Sequence, residues 1–114
     1  MDLKEIFELQ RNFDKKRGWN RYETSRGTPA EILDFMQHFV LVMVEELGEV
    51  SRVRKQFFRD KQSLDVKTLK DEMVDLFVYL MQACMVLNMN LEEEYLRKMR
   101  ESEERFPEKM NEIA

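Results

Sequence analysis

Apolar positions along this chain recur at helical rather than strand spacing. Leu3, Ile6, Phe7, Gln10 and Phe13 share one stripe of a first helix over about residues 2–17, which Gly18 ends. The segment from Gly18 to Gly27 is polar and aromatic and reads as a loop carrying Trp19 and Tyr22. Thr28-Pro29-Ala30-Glu31 combines a capping box with proline at the first helical position. It starts a second helix running to about Phe58. At ~1.5 Å per residue that helix is roughly 45 Å long, more than a small bundle needs, so a kink or an end packed on another subunit is expected. Gly48 lies in its interior, where glycine costs about 1 kcal/mol relative to alanine, and close approach of another helix or a ligand would explain it. A polar connection from Arg59 to Val66 precedes a third helix, about 67–88, apolar nearly all round from Met73 and so central in its bundle. Asn90 with Glu93 caps a fourth helix, Leu91 to Arg105, with Pro107 just beyond; the last residues are expected to fray. The predicted fold is one all-α domain over residues 1–114, a four-helix bundle with 1–9 and 108–114 peripheral.

Composition agrees with one domain. A length of 114 residues and a hydrophobic fraction of 43% suffice for a core. The charged fraction, 37%, has both signs interspersed, as on solvated helix faces. A net charge of −4 argues against a nucleic-acid surface, so phosphate binding must be local, through metal or a few Lys and Arg. Cys84 is the single cysteine, sits in an apolar run and reads as a small core residue of a cytosolic protein. The start, MDLKEIFELQ, is charged from its second residue and does not read as a signal peptide. The longest apolar stretch, Met73 to Met89, contains Asp75, Gln82 and Asn88 and is too short and polar for a membrane span. A cytoplasmic protein without membrane or nucleic-acid partners is expected.

Candidate chemistry begins with acidic residues inside apolar sequence. Glu46 and Glu49 lie in VMVEELGEV, Glu72 and Asp75 in LKDEMVDLFVYLM, each pair spaced i, i+3 on one helix face. Periodicity does not choose between Glu46 and Glu45, because Glu45 and Glu49 also share a face. Solvated acids paired with Arg52 and Lys70 are the ordinary reading. Asp75, with nearly every neighbour apolar, argues against it, since buried carboxylates without a countercharge are costly. Carboxylate oxygens are hard ligands suited to Mg²⁺ or Mn²⁺.

Lys98, Ser102 and Arg105 follow i, i+4, i+7 on the fourth helix and together could hold phosphate oxygens. Ordinary surface pairs, Glu94 with Lys98 and Glu101 with Arg105, are the alternative. Trp19 and Tyr22 could stack on a base or close the end of the core. His38 has no Glu-x-x-His partner, which removes the di-iron carboxylate pattern, and reads as a surface or core histidine.

Taken in order, these segments resemble the MazG-like all-α nucleoside triphosphate pyrophosphohydrolases. EELGEV followed by DEMVDLFVYL resembles that family's Glu-x-x-Glu … Glu-x-x-Asp signature. FDKKRGW, Phe13 to Trp19, resembles the Phe-x-x-x-Arg-x-Trp segment of the dCTP pyrophosphatase branch. KMRESEERFP, Lys98 to Pro107, resembles that branch's Lys-x-x-x-Asn-x-x-Arg-Tyr-Pro ending. The resemblance covers about residues 10–107 and implies Glu46, Glu49, Glu72 and Asp75 as metal ligands, with Glu45 behind them. It implies Mg²⁺-dependent cleavage between the α- and β-phosphates of a nucleoside triphosphate, giving the monophosphate and pyrophosphate. Glu45 or Glu49 would take the proton of the attacking water, and Lys98 and Arg105 would neutralise the leaving pyrophosphate. Trp19 and Tyr22 would line the base pocket. It further implies a homodimer or homotetramer with sites between subunits.

Two departures stand out. Ser102 occupies the place of the family's triphosphate-binding Asn, and Pro29 to Glu46 is longer than in the dCTP branch by about two helical turns. The rival reading they favour is a non-catalytic helical oligomerisation or regulatory protein that keeps the fold. A second rival is a di-metal hydrolase of another phosphorylated compound.

Overall fold

The structure, a computed structural model, describes residues 1–24 and 27–109; the frayed end expected at 110–114 lies outside them. The described residues form five α-helices: α1 (Leu3–Lys16), α2 (Arg21–Thr24), α3 (Pro29–Phe58), α4 (Val66–Val86) and α5 (Leu91–Arg105). The expected loop after Gly18 therefore contains a helical turn, α2. Four residues are too few to show a 3.6-residue period in sequence.

Side-chain caps fix where the four longer helices begin. Asp2 accepts from Glu5 N at 2.8 Å, Thr28 from Glu31 N at 3.2 Å, Asp65 from Thr68 N at 3.0 Å and Asn90 from Glu93 N at 3.1 Å. Each satisfies a backbone N–H that the first helical turn leaves without a partner. Pro29 follows its cap directly, where its missing N–H removes nothing. α3 continues as unbroken α-helix to Phe58.

α3 and α4 pack side by side as a helical hairpin, and α2 packs on α4. The buried centre is Tyr22, Phe39, Met81, Ala83, Met85 and Val86. Ile6 and Phe7 of α1, Phe35 and Met43 of α3, and Phe77 of α4 pack against it. Cys84 is buried as expected, and burial pushes its thiol pKa up.

The bundle is not closed. α4 ends at Val86; two residues on, Asn88 has a φ of 51°, the left-handed conformation asparagine tolerates, and α5 leaves at 94° to α4. No residue of α5 is buried. The buried residues of α4 all lie between Met81 and Val86, while Met73, Val74 and Leu80 are exposed. The all-round apolar character of α4 is thus only half used within one chain. Among the described residues nothing lies within 4 Å of where a Gly48 Cβ would stand, so none of them makes the close approach expected there. No single helix among the described residues is long and apolar enough to cross a membrane.

Candidate functional site

Packing α3 against α4 brings carboxylates from both helices together. Glu46 of α3 and Glu72 and Asp75 of α4 each place a carboxylate oxygen within 4.8 Å of the others. Glu72 and Asp75, one turn apart on α4, face the same turn of α3. Glu46 and Glu72 are half-buried, and Glu72 Oε2 is fully buried with no hydrogen-bond partner. The Glu46 carboxyl is pushed up to about 7. Its hydrogen bond to Glu72 contributes most, then burial, then the charges of Glu72, Asp75 and Glu49. Two carboxylates make such a contact only when one holds a proton. The cluster therefore carries more negative charge than its surroundings neutralise.

Glu46 rather than Glu45 is the α3 member of this cluster. Glu45 is exposed, yet close enough to act electrostatically on Tyr79. Glu49 stands apart from the oxygen cluster, because its Oε2 accepts from Arg52 Nη2 at 2.6 Å and Nε at 2.9 Å. Arg52 is three residues ahead on the same helix, a spacing that favours such a pair.

A cavity of about 340 Å³ opens beside Asp75, between α1, α4 and the turn before α2. Gln10, Phe13, Asp14, Trp19, Val78, Tyr79 and Gln82 line it with Asp75. Trp19 is 60% exposed and meets the edge of Phe13 at 5.9 Å, so its ring is open to a stacking ligand. A second cavity, about 740 Å³, continues past Trp19, Tyr79 and Gln82 towards Phe35 and His38.

Tyr22 has a different role from the stacking one expected. It is 2% exposed, packs edge-on to Phe39 and donates its hydroxyl to Asp14 Oδ2 at 2.5 Å. Burial first, then Asp14, pushes its pKa up, which keeps the phenol a donor. Asp14 is fully buried, and also accepts from Gln10 Nε2 at 2.9 Å and Gln82 Nε2 at 3.1 Å.

Lys98, Ser102 and Arg105 line neither of these cavities. The surface pairs expected for α5 also differ: Arg97, not Lys98 or Arg105, binds Glu94 and Glu101, both at 2.8 Å. Among the described residues Lys98 has no ion-pair partner, and Arg105 lies over the Phe106 ring at 5.2 Å. His38 is exposed beside Phe39, as a surface histidine.

The polar lining residues Gln10, Asp14, Tyr79 and Gln82 were not expected from the sequence. Tyr79 had a usable signal, since it follows Asp75 by four residues and shares its helix face. Burial of Tyr79, then the charges of Glu46 and Asp75, raises its pKa and keeps it a hydroxyl donor beside the cluster. Comparison with protein-family models, curated proteins and solved structures gives no match.

Proposed function

We propose that the chain is a Mg²⁺-dependent nucleoside triphosphate pyrophosphohydrolase. The observation that carries this reading is the cluster of Glu46, Glu72 and Asp75, with its buried Glu72 Oε2 left without a donor. Hard oxygen donors with no fixed countercharge fit a hard divalent cation, Mg²⁺ or Mn²⁺. Glu46, Glu72 and Asp75 hold it, and Glu49 completes the set by exchanging Arg52 for the cation. When bound, Mg²⁺ supplies positive charge to the polyphosphate and makes water more acidic.

The chain's own groups do the rest. Glu45, exposed one residue from Glu46, takes the proton of the attacking water. Tyr79 donates its hydroxyl to the polyphosphate beside Asp75. Trp19 stacks on the base in the cavity that reaches Asp75. Lys98, Ser102 and Arg105 come from α5 of a second copy, because α5 of the same chain swings away at 94°. The two arginine and lysine charges neutralise the leaving pyrophosphate. The protein acts as a homodimer or homotetramer in the cytoplasm.

The test is pyrophosphate release from a panel of nucleoside triphosphates, with Mg²⁺ and with chelator, for wild type and Asp75→Asn. The reading expects release that needs Mg²⁺ and falls by at least about 100-fold in the variant. Mg²⁺ binding without pyrophosphate release from any nucleotide would instead favour the non-catalytic helical protein. Departure of Ser102 from Asn is the feature that favours that outcome.

A further inference from the structure

The net charge of the chain conceals how its charge is distributed. Residues 54–70, the end of α3, its connection to α4 and the first turns of α4, hold six Lys and Arg against two Asp, a local charge of +4 in a chain of −4. Arg54, Lys55, Lys61 and Lys70 have no ion-pair partner among the described residues. Apolar side chains are exposed at the same end of the hairpin: Phe58 by 58%, Leu64 by 53%, and Phe57 and Val66 nearly as far. The rings of Phe57 and Phe58 meet edge-on at 5.0 Å, and the Arg54 guanidinium lies 4.9 Å over Phe58. Gln62 N donates to Gln56 O at 3.0 Å and closes the end of α3. Just before it, Lys61 has a φ of 55°, the left-handed region that favours glycine, so a cation stands at the tip where the backbone suits glycine better. Val53, one residue before this stretch, is buried, so the tip caps a packed stem.

We propose that this hairpin tip docks on the surface of an anionic lipid bilayer, with its cations among the headgroups and Phe57, Phe58 and Leu64 entering the interface below them. Aromatic and aliphatic side chains mixed with unpaired Lys and Arg suit that boundary, where apolar burial and attraction to anionic lipid add together. No single helix among the described residues can cross a membrane, so the contact is peripheral. Single-stranded nucleic acid fits less well. It needs stacking faces along a basic groove, whereas Leu64 and Val66 offer no ring and the tip lines neither cavity described above. An acidic face of a second copy also fits less well, because Glu94 and Glu101 of α5 are already held by Arg97. None of the tip residues belongs to the Glu46, Glu72 and Asp75 cluster, so this surface stands independently of the enzyme reading.

Co-sedimentation with vesicles tests this. Wild type should bind vesicles of phosphatidylcholine mixed with phosphatidylserine, should not bind phosphatidylcholine alone, and should be released as salt rises from about 0.1 M to about 0.5 M. Lys55→Gln combined with Lys61→Gln should weaken binding about 30-fold. Phe57→Ser combined with Phe58→Ser should weaken it at least about tenfold. Lys15→Gln combined with Lys16→Gln removes the same charge from exposed positions on α1 and should bind like wild type. Circular dichroism checks that helix content is unchanged, and the lysine pair, exposed and replaced by polar side chains, remains a test if the phenylalanine pair misfolds. Absence of binding to the phosphatidylserine vesicles would overturn the proposal. So would equal losses in the α1 and tip variants, or tip variants that bind as wild type does. Tip variants that leave vesicle binding intact but lose a single-stranded oligonucleotide, or that turn an oligomer into monomers, would assign the tip to nucleic acid or to a second copy instead.

Discussion

Glu46 is where the uncompensated charge of the site is most directly measurable. Its carboxyl, ordinarily near 4.5, titrates at about 7 in the folded chain. The folded state thus holds a proton that the unfolded state gives up. The stabilisation from that proton is complete below about pH 4.5 and is lost as pH rises through about 7. The Tm of the metal-free protein should fall by about 4–8 °C between about pH 5 and about pH 8, or ~1 kcal/mol after screening by solvent. Asp75→Asn should show a smaller fall, and added Mg²⁺ should restore wild type but not the variant. Thermal melts across pH check this. Asp75 stood out in sequence because apolar residues flank it, yet the structure leaves its side chain exposed rather than buried, since Met73 and Val74 beside it are exposed too. Glu49 was not legible, because Arg52 competes for it and periodicity cannot say which partner wins. Asp14 looked like any acid on an amphipathic helix. Its donor Gln82 is 68 positions away, so only the packing of α4 on α1 and α2 reveals it.

Helix ends were the most legible elements, because a cap is local chemistry. Thr28 and Asn90 start α3 and α5 where their capping patterns place them. α2 escaped because one turn carries no period, and the 94° turn after Asn88 escaped because it depends on a single left-handed residue. Gly48 was read as a sign of close packing, but the glycine itself carries no record of what lies opposite. Since nothing stands within 4 Å of its Cβ position, Gly48→Ala should stabilise the protein by about 0.5–1 kcal/mol through helix propensity. Denaturant unfolding measures it. A loss of stability would mean that another helix occupies that face.

The molecule as a whole is open, and that openness is the ground for expecting an oligomer. It exposes 9412 Å², whereas a compact 13.9 kDa protein exposes roughly 6,700 Å². Its radius of gyration, 18.6 Å, compares with about 13 Å expected for this length. Val40, Leu41, Val44 and Leu47 on α3, Met73 and Val74 on α4, and Leu96 and Met99 on α5 are all exposed. The surplus area exceeds the roughly 800 Å² that each partner contributes to a stable interface. Sedimentation should therefore find a dimer or tetramer at micromolar concentration. A monomer would remove the second α5 that the proposed site requires. All-helical architecture was plain in the periodicity. The open bundle was not, since an apolar helix face looks the same whether its own chain or another covers it.

A divalent-cation site at Glu46, Glu72 and Asp75 can be probed without any assumption about substrate, by calorimetric titration of Mg²⁺. Wild type should bind Mg²⁺ saturably and more tightly with a non-hydrolysable nucleoside triphosphate present. Asp75→Asn, with helix content unchanged by circular dichroism, should lose at least about tenfold in Mg²⁺ affinity. Equal Mg²⁺ binding by wild type and a folded Asp75→Asn would mean that these three carboxylates do not form the cation site.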